Sequence, residues 1–411
     1  MNNRHRRFWV LALVLSACTA APTTSPVPTT APSTTAPSPS SAAARSSPGP
    51  SAPAAPTLAP SASTTAWDEV FSRDNARVGA LIVWRGGFLA SGCDVEPDDS
   101  FCTRNFVLSS ADGDTWTMTE MPIPTDFGIR SLHVVGDRLM GLGYGHYFTE
   151  DYAGGAIVVT STDGRTWARV ESASFRDRAV DDIIQTPLGT FAVGHEAPID
   201  SDDTSGFLLW PFRDDGSLGK PRVVDMGGDP HLITGASWTG RELLGWGLRH
   251  GPWAGPTVVL ASADGRSWSK RGTIPGGDET NAAAILVVGD RLIAVGNRRR
   301  QYPLAPIAWT SDDGGRTWDR ATVEGDDAAM YDVQVEGGRL IARGGVSYAE
   351  NRRPVSWESM DGSTWTILPA DSDLPDILGF SPWTRATHAG RTCVADSISS
   401  GETLRAAIFC R

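Results

Sequence analysis

Ser110-Ala111-Asp112-Gly113-Asp114-Thr115-Trp116 recurs along this chain as Ser161-Thr162-Asp163-Gly164-Arg165-Thr166-Trp167, Ser262-Ala263-Asp264-Gly265-Arg266-Ser267-Trp268 and Ser359-Met360-Asp361-Gly362-Ser363-Thr364-Trp365. A fifth copy, Ser311-Asp312-Asp313-Gly314-Gly315-Arg316-Thr317-Trp318, carries one extra residue. The aspartates step by 51, 101, 49 and 48 residues, and the double step holds a worn copy at Asp214-Asp215-Gly216-Ser217-Leu218. A fixed period in this range marks a repeat architecture in which one supersecondary unit is stacked many times. The box itself has the chemistry of a tight turn: a carboxylate to accept from backbone N–H groups, a glycine for positive φ, and hydroxyls to close the hairpin. That assigns Asp112, Asp163, Asp264, Asp313 and Asp361 to holding turns, and the reading expects each tryptophan to pack on its own unit.

The surroundings of the boxes repeat as well. Leu132-His133-Val134-Val135 and Leu139-Met140-Gly141-Leu142-Gly143 flank Gly136-Asp137-Arg138, and Ile285 to Gly296 repeats the arrangement around Gly289-Asp290. Apolar runs joined by such pairs read as hairpins. A third strand, such as Ala156 to Thr160, runs into the box and a fourth leaves it at the tryptophan, so one period is a four-stranded antiparallel meander. One period before Trp116 lies Trp67, a fourth strand without a preceding box. At the other end, Ala386 to Phe409 supplies a hairpin and a third strand but no box. The chain is therefore expected to be an all-β, seven-bladed propeller over residues 67–411, its last blade completed by the N-terminal strand, with Trp67–Phe71 pairing to Leu404–Phe409. Closure of that kind removes the open sheet edges of a linear array.

The boxes resemble the Asp-box, or BNR, repeats of sialidase-like propellers, xyloglucanases, sortilin-type receptors and photosystem II assembly factors. That family spans hydrolases and pure binders, so the resemblance implies a fold more than an activity. The Arg-Ile-Pro motif that carries the first sialidase arginine is absent, and Leu81-Ile82-Val83-Trp84-Arg85 stands in the early blade instead. No catalytic set is transferred.

Before the repeats, Arg4, His5, Arg6 and Arg7 precede an apolar stretch from Phe8 to Leu15, which ends in Leu15-Ser16-Ala17-Cys18. Charged, apolar and small-residue segments in that order read as a secretory signal. The tetrad resembles the bacterial lipobox, which implies cleavage before Cys18, acylation of its thiol, and anchoring to the extracellular face of the cell membrane. Residues 19–66 are almost entirely Ser, Thr, Ala and Pro, with Arg45 the sole charge. Such a composition buries no core and is expected to form an extended stalk. Four of the 36 basic residues and none of the 48 acids precede Trp67, so residues 67–411 carry a formal charge of −16. A globally basic nucleic-acid binder is excluded on that balance.

Apart from Cys18 the chain has four cysteines, an even number that suits export. Four allow three pairings, and the repeat reading favours Cys93 with Cys102 and Cys393 with Cys410. No Cys-x-x-Cys, P-loop, serine-triad or His-Glu-x-x-His pattern is present, and the residues imply neither a metal nor a cofactor.

In this topology the boxes share one face, while the loops between second and third strands and the blade connections share the other. Ligand contacts are expected on the second face, from His146, Tyr147, His195, Glu196, His250, Trp253, Arg298, Arg300, Tyr302, Tyr348, Arg352 and Arg353. Aromatics with arginines suit a sugar, a carboxylate or an acidic protein surface. The expectation is a monomer binding a glycan, peptide or envelope protein without catalysis. The alternative is a sialidase-like exo-glycoside hydrolase, for which Glu150, Asp151, Glu196 and Glu350 supply carboxylates.

Overall fold

A computed structural model describes residues 67–96, 102–123, 127–145, 155–172, 175, 178–196, 207–213, 217–224, 232–277, excepting 251–253, and 279–299, 304–346, 354–369, 385–400 and 403–411. Cys18 and residues 19–66, expected to be a lipid attachment point and a stalk, lie outside them. Met1–Ser61 and Ala62–Arg411 are separate units, and only the second is described below.

The chain opens with β1 (Asp68–Asp74), which belongs to the last blade. Blade one follows as β2 (Ala76–Trp84), β3 (Gly87–Val95), β4 (Cys102–Ser110) and β5 (Thr117–Glu120). Blade two is β6 (Phe127–Val135), β7 (Arg138–Gly145), β8 (Ala156–Ser161) and β9 (Ala168–Arg169). Blade three is β10 (Arg178–Thr186), β11 (Gly189–Glu196), β12 (Phe207–Pro211) and β13 (Arg222–Val224). Blade four is β14 (Leu232–Trp238), β15 (Leu243–His250), β16 (Ala254–Ser262) and β17 (Ser269–Thr273). Blade five is β18 (Thr280–Val288), β19 (Arg291–Arg299), β20 (Leu304–Ser311) and β21 (Asp319–Arg320). After β22 (Thr322–Val323), blade six is β23 (Ala328–Glu336), β24 (Arg339–Val346), β25 (Pro354–Ser359) and β26 (Thr364–Ile367). Blade seven is β27 (Arg385–His388), β28 (Arg391–Ser400) and β29 (Thr403–Cys410), completed by β1.

The fold is thus a seven-bladed propeller of antiparallel sheets, closed as the spacing required. Asp68 faces Cys410 and Asp74 faces Arg405, so the closing strand extends three residues beyond the expected Phe71. Cys93–Cys102 and Cys393–Cys410 are both disulfide-bonded. Blade six departs from four strands because β22, the continuation of blade five's outer strand, crosses over and pairs in parallel with β26. Blade three also differs: with no tryptophan after its worn box, only a Phe212–Leu218 bridge forms at the expected place, and the fourth strand waits until Arg222.

Each good box folds as one hydrogen-bonded turn. Asp112 accepts from the N–H groups of Asp114 at 2.8 Å and Thr115 at 3.0 Å, and Asp163 from those of Arg165 at 2.8 Å and Thr166 at 2.6 Å. Ser110 and Ser161 accept from Gly113 and Gly164, and the indoles of Trp116 and Trp167 donate to the carbonyls of the same glycines. Backbone donors draw the carboxyls of Asp112, Asp163 and Asp264 below their ordinary values, Asp264 to about 2. The Thr317 hydroxyl, with its N–H, does the same for Asp313.

The tryptophans reach further than expected. Trp116 lies against Phe88 of its own blade, but others join cores shared with the preceding blade: Trp167 sits with Ile157 and Val159 of its own blade two and with Leu89 and Val107 of blade one, Trp318 with Trp246 and Val259 of blade four, and Trp365 with Ile293 and Val295 of blade five. The reason lies in the turn. Gly164 at φ 71° abuts Trp84 and Leu89 of blade one, and Gly362 at φ 82° abuts Ile293 of blade five, so the box leans on the preceding blade. Every seam from blade one to blade six holds an apolar core of this kind. The ring seam between blades seven and one is filled by Ala395, Ala406 and Ile408 against Val78, Phe88 and Phe106.

Candidate functional site at the channel mouth

The first strand of each blade lies at the hub, where β2 touches β6, β10 touches β14, and β14 touches β18. These strands begin on the loop face, the one opposite the boxes. Two or three residues in, all six described hub strands from blade one to blade six break register at the same rung. The last regular pairs are Val78 with Gly92, Ile129 with Gly143, Val180 with Gly194, Ile233 with Gly247, Ala282 with Gly296, and Met330 with Gly344. One extra residue follows in each: Gly79, Arg130, Asp181, Thr234, Ala283 and Tyr331. A bulge of this kind bends its strand and re-aims a side chain.

The partner is glycine in every case for a steric reason. At the bulge the preceding peptide tips its carbonyl over the second strand, so a Cβ on Gly143, Gly194, Gly296 or Gly344 would lie 2.2, 1.9, 1.8 or 1.7 Å from the oxygen of Gly128, Ala179, Asn281 or Ala329. The glycines therefore permit the bulges, and the bulges place a ring of unlike side chains near the channel mouth.

In blade three Asp181 accepts from Nδ1 of His195, 2.7 Å away, so the bulge orients an imidazole that the sequence singled out. One rung outward, Arg178 donates to Glu196 at 3.3 Å. The same rung in blade one carries Asp94, held by Arg73 and by Arg104. Burial pushes that carboxyl up, but the two guanidiniums more than offset it and it ends below its ordinary value. In blade five the rung carries Arg298 opposite Thr280. Here the compensation is missing: Nε of Arg298 is buried with no hydrogen-bond partner, and no carboxylate among the described residues pairs with the side chain. Next along β18, Asn281 has a buried Oδ1 that also lacks a partner. A buried polar atom left unpaired costs about 1–3 kcal/mol.

Deeper in the channel, Nδ1 of His133 in blade two stands 3.7 Å from Oδ1 of Asp182 in blade three. Burial raises the Asp182 carboxyl to about 7, with the charge of Asp181 adding to it, and burial lowers the His133 imidazole to about 4.

Of the twelve expected ligand residues, His195, Glu196 and Arg298 are placed on this rim. His250 ends β15. His146, Tyr147, Trp253, Arg300, Tyr302, Tyr348, Arg352 and Arg353 lie outside the described residues, as do Glu150, Asp151 and Glu350. Arg130, Asp181 and Tyr331 were missed, although a glycine ending the second strand about once per period signalled the bulges that carry them. Among the described residues no cluster of three His, Cys, Asp or Glu side chains is arranged to hold a metal.

No protein-family model and no curated protein matches the sequence. Solved structures do. An ulvan lyase of a polysaccharide lyase family superposes with a TM-score of 0.57 at 10% identity, over 82% of this chain and 95% of that one. Trypanosoma rangeli sialidase bound to sialic acid matches at a TM-score of 0.47 and 14% identity, over 73% of this chain and 56% of its own length. At these identities the likeness is one of fold.

Proposed function

We propose that this chain is a bacterial lipoprotein, acylated at Cys18 and carried on the 19–66 stalk at the extracellular face of the cell membrane, whose propeller binds an acidic glycan at the channel mouth without turning it over. Arg298 carries the reading. Where blades one and three neutralise the same rung internally, blade five leaves a half-buried guanidinium whose charge has no partner among the described residues. An anionic group supplies the partner Arg298 lacks there, and a charged saccharide carries one. The exported, disulfide-bonded character of the chain and its shared fold with a polysaccharide lyase agree with an extracellular glycan.

The compact unit 62–411 should bind heparin and polygalacturonate in calorimetric titrations and should not bind neutral dextran. Loss of one charge-assisted hydrogen bond corresponds to about 1.5–3 kcal/mol, so Arg298→Ala should weaken binding by roughly tenfold or more. Equal binding of dextran, or an Arg298→Ala variant with unchanged affinity, would refute the reading. Incorporation of labelled palmitate in cells, abolished by Cys18→Ala, tests the anchor.

Exo-glycoside hydrolysis is the second reading, favoured by one observation: the bulges bring an arginine, a carboxylate and a tyrosine, Arg130, Asp181 and Tyr331, to equivalent places round the mouth. Turnover of a fluorogenic sialoside that is lost in Tyr331→Phe would replace binding with catalysis.

A further inference from the structure

The channel carries a group of titratable side chains that the binding of an anion by Arg298 does not use. Asp181 and Asp182 are consecutive residues at the blade-three bulge. Asp181 turns to His195 at the mouth, and Asp182 turns to His133 across the seam with blade two. His133 is in turn fixed by Ser131, 2.9 Å from its Nε2. Below this level the same two hub strands are clamped by Gln185, which donates to the Val134 carbonyl at 2.6 Å. The cluster therefore sits in a rigid seam, with one carboxylate at the rim and its neighbour inside.

The geometry points to Asp182 as a proton switch that sets how strongly the channel mouth attracts an acidic ligand. The inference rests on the binding reading above and names its regulation. Asp182 keeps a third of its side chain exposed, yet its carboxyl sits in a seam between hub strands, so ionisation adds a poorly solvated charge beside Asp181. No cation among the described residues draws that carboxyl down. The imidazole of His133 is held neutral by burial at any pH above about 4. The other titratable or charged groups on strands packed against β10 are Arg130 on β6, Arg138 and Tyr144 on β7, and His195 and Glu196 on β11; β8 and β14 carry none. Arg178, on β10 itself, is engaged by Glu196, and the arginines keep their charge throughout the neutral range. Deprotonation of Asp182 thus makes the mouth more negative, and an anion at Arg298 is repelled. Asp182 and Arg298 stand two blades apart, and a unit charge on the order of 15 Å from an anion changes its affinity on the order of fivefold at an effective dielectric of about 20.

The experiment is titration of heparin, whose sulfates stay ionised throughout, into unit 62–411 at several pH values from 6 to 8.5. Wild-type affinity should fall about fivefold across that range with a midpoint near 7. Asp182→Asn keeps the shape and an acceptor for the Ile183 N–H, bonded at 2.7 Å in the wild type, and should hold the acid-form affinity at every pH. His195→Gln separates the second candidate titrating group and should retain the pH dependence. A pH dependence that survives in Asp182→Asn, or vanishes in His195→Gln, overturns the switch. Should heparin bind at no pH, the binding reading fails, and the switch is read from thermal melts instead. A carboxyl that holds its proton to higher pH in the folded than in the unfolded chain costs wild-type stability as pH rises through 7. The melting point of Asp182→Asn should therefore gain on wild type between pH 6 and 8.5, and no gain overturns the proposal. If the variant does not fold, carbon-13 titration of the wild-type Asp182 carboxyl serves, with a midpoint below 5 as the overturning result.

Discussion

Replacing Gly194 with alanine tests whether the bulge ring is built as described. The added Cβ would stand 1.9 Å from the carbonyl oxygen of Ala179 and 2.9 Å from its carbon, both inside the 3.0 Å that real Cβ contacts hardly ever breach. Both colliding atoms are backbone, so no side-chain rotation relieves the contact, and the gap has to widen by more than 1 Å. Overpacking in a closed core typically costs about 1–3 kcal/mol, and a collision between two main chains belongs at or above the top of that range. Gly136→Ala is the matched control. Nothing lies within 4 Å of its added Cβ, but its φ of 62° is left-handed, which costs roughly 1–2 kcal/mol for a residue with a side chain. Urea unfolding followed by tryptophan fluorescence should place Gly194→Ala clearly below Gly136→Ala. A Gly194→Ala midpoint at or above that of the control would show that the hub strands do not need the glycine, and the account of the rim would fall with it.

Replacing Cys393 and Cys410 together by serine opens a link spanning 17 residues and should lower stability by about 3 kcal/mol in the chain-entropy estimate, read as a shift of the urea midpoint under oxidising conditions; the nine-residue link at Cys93–Cys102 should count for slightly less. The box carboxylates are held below their ordinary values, so their contribution is complete at neutral pH and is lost as pH falls from about 4 through about 2, the value reached by Asp264. Melts between pH 5 and 2 should show that loss, and Asp264→Asn should reduce its slope.

The architecture was legible because a propeller repeats its punctuation. Asp, Gly and Trp at a fixed period locate the turns, and Trp67 standing one period before Trp116 exposes the closure. What escaped was the reach of the packing. A tryptophan after a turn reads the same whether it covers its own sheet alone or the neighbouring one as well, and the close approach of Gly164 and Gly362 to the preceding blade shows that it covers both. The rim escaped for a different reason. A bulge inserts one residue into a strand without altering its apolar character, so Val180-Asp181-Asp182-Ile183 looks like a strand with two misplaced acids. The expected ligand residues fall on long polar loops or strand ends, whereas Asp181 and Tyr331 lie inside strands. Arg298 and Asn281 have ordinary sequence surroundings; their unmet hydrogen bonds exist only once β18 and β19 are paired.

The two sets of repeated positions do opposite work. At the boxes, side chains make the structure: the aspartate, serine and glycine are tied to one turn, and substitution breaks the seam it closes. At the bulges the backbone makes the structure, through a carbonyl seated over a glycine. The inserted residue is arginine, aspartate, threonine, alanine or tyrosine in blades two to six, while in blade one it is Gly79, where a Cβ would meet the Ile129 oxygen at 2.1 Å. A seven-fold ring offers near-identical sites around one axis, and a ligand needs unlike contacts. Separating the glycine that permits the bulge from the residue inserted at it lets a regular ring carry an irregular mouth, with an arginine that has no carboxylate partner among the described residues in blade five and an acid–imidazole pair in blade three.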